Sequence, residues 1–169
     1  GQTIKRRLGR TMNDSRTRPD DLTDEWPDEL AESLPDKLLS RLPADLRTQV
    51  RLAVPLQSLT SLRVGGPAAL VCPIRNPEQA RRFQGLALDS RTPFFILGGG
   101  SNVFADDRGF SGVILHVATE NIARTGDTIR VGAGLSFDHL IERSLDLGLT
   151  GLEFASGIPG TLGGALVGN

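Results

Sequence analysis

Two glycine-rich segments have a composition that could bind a ligand through the main chain. The first is Gly98-Gly99-Gly100-Ser101-Asn102, which follows an apolar run. Three consecutive glycines lose much chain entropy on folding, so they usually mark a left-handed backbone or a close approach of two chains. Successive N–H groups without side chains can converge on an anion, and Ser101 and Asn102 add side-chain donors. The composition suits a diphosphate site, and it also suits a plain tight turn.

The second segment is Gly157-Ile158-Pro159-Gly160-Thr161-Leu162-Gly163-Gly164-Ala165. Pro159 fixes its own φ angle, Gly160 leaves the following backbone free, and the pair Gly163-Gly164 permits close approach. We interpret the segment as a shaped wall against a flat or extended ligand. An ordinary surface loop can hold the same glycines, so composition alone does not separate the two interpretations.

The sequence excludes several simpler sites. Gly132-Ala133-Gly134 follows a predicted strand, but the third glycine of a dinucleotide fingerprint would have to stand at Phe137. Neither glycine segment is followed by the Lys-Ser/Thr pair of a P-loop. His116 and His139 are too far apart for a local metal signature, and we expect both to be structural. Asp106-Asp107 stands in a predicted turn, where aspartate has a conformational role.

The elements that must position these segments follow an α/β pattern from Val54 onward. Apolar runs predict strands over residues 69–73, 92–97, 112–117 and 127–131. Asn76 and Pro77 begin a predicted helix that runs to about Leu88, and Ser136 caps a second one that Gly148 ends. The predicted inward faces of the two helices are Ala80, Phe83 and Ala87, then Phe137, Leu140, Ile141 and Leu145.

Residues 1–50 differ in composition from the rest and are predicted to form an N-terminal extension. The part up to Glu25 is polar and charged, and we expect it to be disordered. Three units of similar pattern follow, beginning at Trp26-Pro27, Leu34-Pro35 and Leu42-Pro43, and each closes on a leucine. Proline suits a helix start, so the pattern predicts short helices. Their leucines would pack on the main domain or dock a partner, and we favour packing.

Charge and cysteine content narrow the possible partners. The formal net charge of -1 gives no field that would attract nucleic acid or an anionic membrane, so we expect neither as a partner. No apolar stretch is long enough to cross a bilayer, and the basic start lacks the apolar stretch of a secretory signal. The single cysteine, Cys72, lies in an apolar run and is predicted to be buried and inert.

Five motifs stand in order between about Val54 and Asn169. They are Thr60-Ser61-Leu62-Arg63-Val64-Gly65-Gly66-Pro67-Ala68, Leu97-Gly98-Gly99-Gly100-Ser101-Asn102-Val103, Gly109-Phe110-Ser111-Gly112-Val113-Ile114, Val131-Gly132-Ala133-Gly134, and the run from Gly151 to Gly164. In order and spacing they resemble the UDP-N-acetylenolpyruvoylglucosamine reductases. The last motif alone is also shared by FAD-linked oxidases of the vanillyl-alcohol-oxidase type.

The resemblance implies a fold and a cofactor. It implies an α/β (α+β), two-lobed FAD-binding domain of the vanillyl-alcohol-oxidase or PCMH type over residues 51–169, incomplete at the C-terminus and without the substrate-binding domain. It implies that the first segment holds the FAD diphosphate and the second lines the flavin. The implied cofactor-binding residues are Leu97, Gly98, Gly99, Gly100, Ser101, Asn102, Val103, Ser156, Gly157, Ile158, Pro159, Gly160, Thr161, Gly163 and Gly164.

The resemblance also implies an activity for a longer parent protein. Such reductases use NADPH, through FAD, to reduce UDP-N-acetylenolpyruvoylglucosamine to UDP-N-acetylmuramate. This is a cytoplasmic step of peptidoglycan synthesis, on which cell-wall biogenesis, cell shape and cell division depend. The catalytic Arg, Ser and Glu of the family are expected beyond Asn169, so none is assigned here. The alternatives are an FAD-linked hydroxy-acid or alcohol oxidase, and a non-catalytic scaffold that no longer binds flavin.

Overall fold

The computed structural model of the 169-residue chain describes residues 2–4 and 38–168. Its strands are β1 Gln2–Ile4, β2 Arg51–Pro55, β3 Pro67–Ile74, β4 Phe94–Leu97, β5 Val103–Ala105, β6 Phe110–Val117, β7 Ile122–Thr125 and β8 Thr128–Val131. Its helices are α1 Ala44–Arg47, α2 Pro77–Asp89, α3 Phe137–Asp146 and α4 Leu162–Gly168, with 3₁₀ turns at Leu56–Ser58 and Glu153–Ala155.

A four-stranded mixed sheet in the order β2-β3-β6-β4 forms the centre of the fold. Strand β2 is antiparallel to β3, whereas β3, β6 and β4 run parallel. The two middle strands are the most buried, as expected for parallel strands covered on both faces. Strand β1 pairs with β5, and β7 pairs with β8 as a hairpin.

The four predicted strands are confirmed as β3, β4, β6 and β8, with ends that differ by up to two residues. Strands β2, β5 and β7 were not predicted. They have only five, three and four residues, and the residues of β2 and β7 are mostly exposed, so neither a long apolar run nor a regular alternation identifies them. Strand β1 falls in the part that the sequence analysis expected to be disordered, and for these three residues the structure differs from that expectation.

Both predicted helices are confirmed with their caps. The side-chain oxygen of Asn76 accepts a hydrogen bond from the N–H of Gln79 at 2.8 Å, and Pro77 is the first residue of α2. Ser136 caps α3 in the same way, through the N–H of His139 at 3.2 Å. Gly148 ends α3 with φ +69°, as predicted.

The end of α3 is a Schellman motif. The N–H of Gly148 donates to the oxygen of Leu145 at 2.8 Å, and the N–H of Leu149 donates to that of Ser144 at 2.9 Å. Because glycine adopts the left-handed conformation without strain, Gly148 suits the position that closes this motif.

One residue of α3 that was predicted to face the protein core is exposed instead. Leu140 and Ile141 are buried and Phe137 is half-buried, but Leu145 is 53% exposed and Ser144 takes the inner position instead. At about 100° per residue, Ser144 lies between Leu140 and Ile141 on the helix surface, whereas Leu145 lies about 40° beyond Ile141, outside that face. The Ser144 hydroxyl is satisfied by donating to the oxygen of Ile141 at 2.8 Å, so its burial leaves no unpaired donor.

Successive residues of β3 and β6 alternate between two apolar clusters, which therefore lie on opposite faces of the sheet. The first cluster contains Val54, Leu56, Ala68, Val71, Leu97, Ala105, Phe110 and Ile114. The second contains Leu38, Leu42, Leu46, Leu70, Cys72, Ile74, Phe83, Val113 and Leu115. The elements that carry the first glycine segment border the first cluster, and α2 covers the second.

Residues 38–50 add to the second cluster. Leu38, Leu42 and Leu46 are almost fully buried there, which agrees with the interpretation that the leucines of the repeated units pack on the main domain. In the third unit, Pro43 immediately precedes helix α1. An exposed ion pair of 2.8 Å joins Asp45 of this unit to Arg82 of α2. Residues 5–37, with the first unit and most of the second, lie outside the described residues, and the division at residue 50 stays a prediction.

No helix within residues 38–168 is long and apolar enough to span a membrane.

Candidate functional site

The first glycine segment forms a corner directly after β4. Gly100 has φ +67°, and a β-carbon at this position would overlap the main-chain oxygen of Leu59. Its own oxygen accepts a hydrogen bond from the N–H of Ser61 at 3.1 Å. Gly100 is therefore required by the turn itself, since a side chain would be both strained and displaced. Residues Gly98 to Asn102 are hereafter called the glycine corner.

The glycine corner presents a row of main-chain donors. In the ladder between β4 and β6 the last strand residue is Leu97, and none of the N–H groups of Gly98, Gly99, Gly100, Ser101 and Asn102 donates to another group within residues 2–4 and 38–168. Gly98, Gly100 and Ser101 are buried or half-buried, and N–H groups in such places are usually paired. Successive unpaired N–H groups in a turn form a concave anion site. The donor set thus suits the phosphate oxygens that the sequence analysis expected here.

The second glycine segment uses its main chain differently. Its N–H groups at Leu162 and Gly163 donate to the oxygens of Leu135 and Ala133, each at 2.8 Å. The oxygen of Gly160 accepts the N–H of Phe137 at 3.0 Å. These bonds fix the segment against the loop between β8 and α3. Since its donors are largely occupied, this segment suits the wall of a site better than an anion-binding turn.

The two glycine segments lie against each other. The Ser101 hydroxyl donates to the main-chain oxygen of Pro159 at 3.2 Å. A β-carbon on Gly98 would come within 2.5 Å of Thr161 Oγ1, and one on Gly160 would come equally close to Ser101 Oγ. Gly98 and Gly160 therefore allow the two glycine segments to pack closely against each other.

Thr161 stands at the centre of this contact and is 8% exposed. Its Oγ1 accepts the N–H of Gly164 at 3.3 Å, as a cap at the start of α4. A β-carbon on Gly99 would meet its methyl group at 3.3 Å. One short side chain thus both begins α4 and fills the space that the glycine corner leaves open.

The remaining predicted residues are placed around this contact. Leu97 is buried at the end of β4 and Val103 begins β5. Ser156, Gly157 and Ile158 form an exposed turn, where Gly157 has φ +82° with open space beside it. No hydrogen bond within residues 38–168 joins these three residues to the glycine corner. The structure therefore brings together the glycine corner with residues 159–164, and leaves residues 156–158 at the rim.

Two loops were used only as motifs in the sequence analysis, yet they support the site. The first, residues 56–66, contacts Gly100 through Leu59 and Ser61, and its Gly66 N–H donates to the oxygen of Asp106 at 2.9 Å. The second, residues 132–135, holds the second glycine segment. The motifs identified these loops in the sequence, but their positions along the chain did not show that they would contact the glycine segments.

The titratable groups of the fold lie outside the two glycine segments. Burial raises the pKa of the Cys72 thiol to about 12, which agrees with the predicted inert cysteine. Burial, together with the charge of Arg51, lowers the pKa of His116, whereas the charge of Glu120 raises it. The carboxylate of Asp106 accepts the N–H of Arg108 at 2.9 Å, which is the turn role expected for it.

No cluster of three or more potential metal ligands occurs among the histidine, cysteine and acidic residues that the structure describes.

Comparison with known proteins gives a family and several relatives. The profile of a family described as FAD binding domain matches residues 67–169. UDP-N-acetylenolpyruvoylglucosamine reductase 2 of Symbiobacterium thermophilum is 42% identical over 123 residues, which cover 72% of this chain and 40% of that protein. UDP-N-acetylenolpyruvoylglucosamine reductase of Geobacter sulfurreducens is 39% identical over 128 residues, 75% of this chain and 43% of that protein.

A solved structure agrees with these relatives. The crystal structure of UDP-N-acetylenolpyruvylglucosamine reductase from Thermus caldophilus superposes with a TM-score of 0.56 at 32% sequence identity, over 69% of this chain and 41% of that one. The chain thus spans about two fifths of the length of the relatives it matches. The predicted α/β FAD-binding fold is confirmed, as is the resemblance to these reductases. With residues 67–169 matched, the chain belongs to the FAD binding domain family.

Proposed function

We propose that this chain holds the FAD of an NADPH-dependent reductase that converts UDP-N-acetylenolpyruvoylglucosamine to UDP-N-acetylmuramate. The observation that carries the proposal is the glycine corner, whose five N–H groups have no partner among the described residues, set against the second glycine segment. The names of the relatives supply the substrate. The parent protein would act in the cytoplasm, in the synthesis of peptidoglycan precursors on which wall growth, cell shape and division depend.

The glycine corner would hold the FAD diphosphate. Main-chain N–H groups suit phosphate oxygens because each donates one hydrogen bond and the turn orients several of them toward one point. Asn102 adds a side-chain donor on the same turn, whereas the Ser101 hydroxyl already donates to Pro159. No carboxylate within residues 38–168 bonds to these donors, so an anion would meet no competing negative charge in direct contact with them.

The second glycine segment would lie beside the flavin ring system. Its hydrogen bonds to the β8–α3 loop fix its shape, and Gly157 leaves open space on the exposed side. A bound flavin supplies the hydride chemistry, which no protein side chain can perform. The contribution of this chain would be to bind and orient that group, and the residues that act on the substrate are proposed to stand outside this sequence.

The test is an assay of the complete protein with NADPH and UDP-N-acetylenolpyruvoylglucosamine, preceded by an absorbance spectrum. The proposal predicts flavin absorbance in the purified protein and NADPH oxidation that depends on the UDP-sugar. A colourless protein without NADPH oxidation would contradict it. Consumption of oxygen with a hydroxy acid or alcohol as the reductant would instead support the FAD-linked oxidase alternative.

A further inference from the structure

Arg63 occupies an unusual position in the loop of residues 56–66. Its φ angle is +52°, in the left-handed region that residues with a β-carbon seldom adopt, and the residue is exposed. Its N–H donates to the oxygen of Thr60 at 3.1 Å. The Thr60 hydroxyl, on a residue that is only 6% exposed, donates to the oxygen of Val64 at 3.1 Å. The turn is thus fixed by a buried threonine, although Arg63 itself reaches solvent.

This turn is attached to the glycine corner. Ser61, two residues before Arg63, donates its N–H to the oxygen of Gly100 at 3.1 Å. On the other side the N–H of Gly66 donates to the oxygen of Asp106 at 2.9 Å. The loop is therefore bonded on both sides of Arg63 to the segments that flank β5, and Arg63 stands two residues after the bond to Gly100.

The charges around Arg63 leave it available to an anion. No carboxylate among the described residues forms a hydrogen bond or an ion pair with Arg63. The nearby Asp106 carboxylate bonds to Arg108 at 3.2 Å. A guanidinium can bind phosphate oxygens through two parallel N–H groups, in addition to the hydrogen bonds that main-chain donors give.

We propose that Arg63 binds a phosphate group of a diphosphate ligand held at the glycine corner. The inference rests on the proposed function and extends it, because it adds a side-chain cation to a site otherwise made of main-chain donors. FAD, NADPH and the UDP-sugar all carry a diphosphate, and FAD is the ligand that the glycine corner would hold. The left-handed backbone at residue 63 is then the conformation that directs this cation.

The experiment compares Arg63→Gly with Arg91→Gly in the complete protein. Arg91 is the matched control because it is also exposed and has nearly the same φ angle, +53°, but it follows α2 and precedes β4, whereas the glycine corner follows β4. Both changes remove one positive charge and relieve one left-handed backbone. The dissociation constants of FAD, FMN and riboflavin are measured for each variant, with the KM values for NADPH and the UDP-sugar.

We expect Arg63→Gly to weaken FAD binding about tenfold or more, which is the loss typical of a charge-assisted hydrogen bond. Riboflavin binding should be unchanged in this variant, and Arg91→Gly should bind all three flavins as the wild type does. A tenfold rise in KM for NADPH or the UDP-sugar, with FAD binding intact, would assign Arg63 to that diphosphate instead. Equal losses for FAD and riboflavin, or no loss relative to Arg91→Gly for any of these ligands, would overturn the inference. If the wild-type protein binds no flavin, the proposed function itself fails.

Discussion

The hydroxyl of Ser101 donates a hydrogen bond of 3.2 Å to the main-chain oxygen of Pro159, 58 residues further along the chain, and so joins the two glycine segments. The bond sets the distance between the proposed diphosphate site and the proposed flavin wall. FAD would contact both segments at once, so its affinity depends on the distance between them. Binding is tighter when this distance is already fixed before the ligand binds.

Ser101→Ala should weaken both the fold and the site. We expect a loss of about 1 kcal/mol in the free energy of unfolding, the usual contribution of a neutral hydrogen bond, and a weaker FAD affinity. Urea unfolding and a flavin fluorescence titration measure the two effects. Ser58→Ala is the control, because the Ser58 hydroxyl donates a similar bond of 2.7 Å to the oxygen of Pro55 within its own turn. Unchanged FAD binding in Ser101→Ala would show that this bond does not set the site.

Gly100→Ala should be far more destabilising than an alanine at another left-handed glycine. Gly126 has φ +59° with open space around it, so Gly126→Ala measures the conformational cost alone, about 1–2 kcal/mol. At Gly100 the added methyl also meets the oxygen of Leu59, and we expect about 1–3 kcal/mol beyond that cost. Urea unfolding followed by circular dichroism gives both values. Equal losses would mean that the residue 59–61 turn does not pack on the glycine corner as described.

Cys72 should react with a thiol reagent only when the protein unfolds. Its side chain is buried among apolar residues of the second cluster, and its pKa of about 12 keeps it protonated near neutral pH. At about pH 8 we expect labelling by a disulfide reagent to be slow in buffer and to rise with urea in parallel with unfolding. Because the pKa is raised in the folded state, the stability that it contributes should also fall as the pH rises above about 9. Fast labelling of the folded protein would contradict this placement.

His116 should make the fold less stable in mild acid. Burial lowers its pKa below 6.5, with Arg51 acting in the same direction and Glu120 against it. The unfolded chain therefore binds more protons than the folded one below about pH 6.5, and stability falls as the pH decreases through that range. We expect His116→Gln to make the fall between about pH 7 and about pH 5 shallower, as measured by urea unfolding. His139→Gln is the control for loss of an imidazole at an exposed position, and an equal effect of the two changes would contradict the prediction.

Local signals in the sequence predicted a large part of the fold. Asn76 with Pro77, and Ser136 with Gly148, mark the ends of the two longer helices, because caps depend on neighbouring residues only. Leu145 was assigned to the core from its apolar character, but the width of the buried face of α3 is set by the elements it packs on. The short strand β5 is held by pairing with a distant segment, so its own residues carry little signal.

The site was predicted in its parts and not in its assembly. Both glycine segments could be identified from the freedom of glycine and the absence of side chains, and Ser101 and Thr161 were among the named residues. Two contacts could not be predicted: the bond from the Ser101 hydroxyl to Pro159, and the packing of Thr161 beside Gly98. Both depend on the tertiary fold, which residue spacing does not reveal. The Arg63 loop was visible only as a motif, since β3, α2 and β4 separate Ser61 from Gly100 along the chain.

A crystal structure of the complete protein with bound FAD tests the central claim most directly. The account predicts diphosphate oxygens within hydrogen-bond distance of the main-chain N–H groups of Gly98 to Asn102, with residues 157–164 beside the flavin ring system. A diphosphate bound elsewhere on the protein, with no contact to that turn, would contradict it.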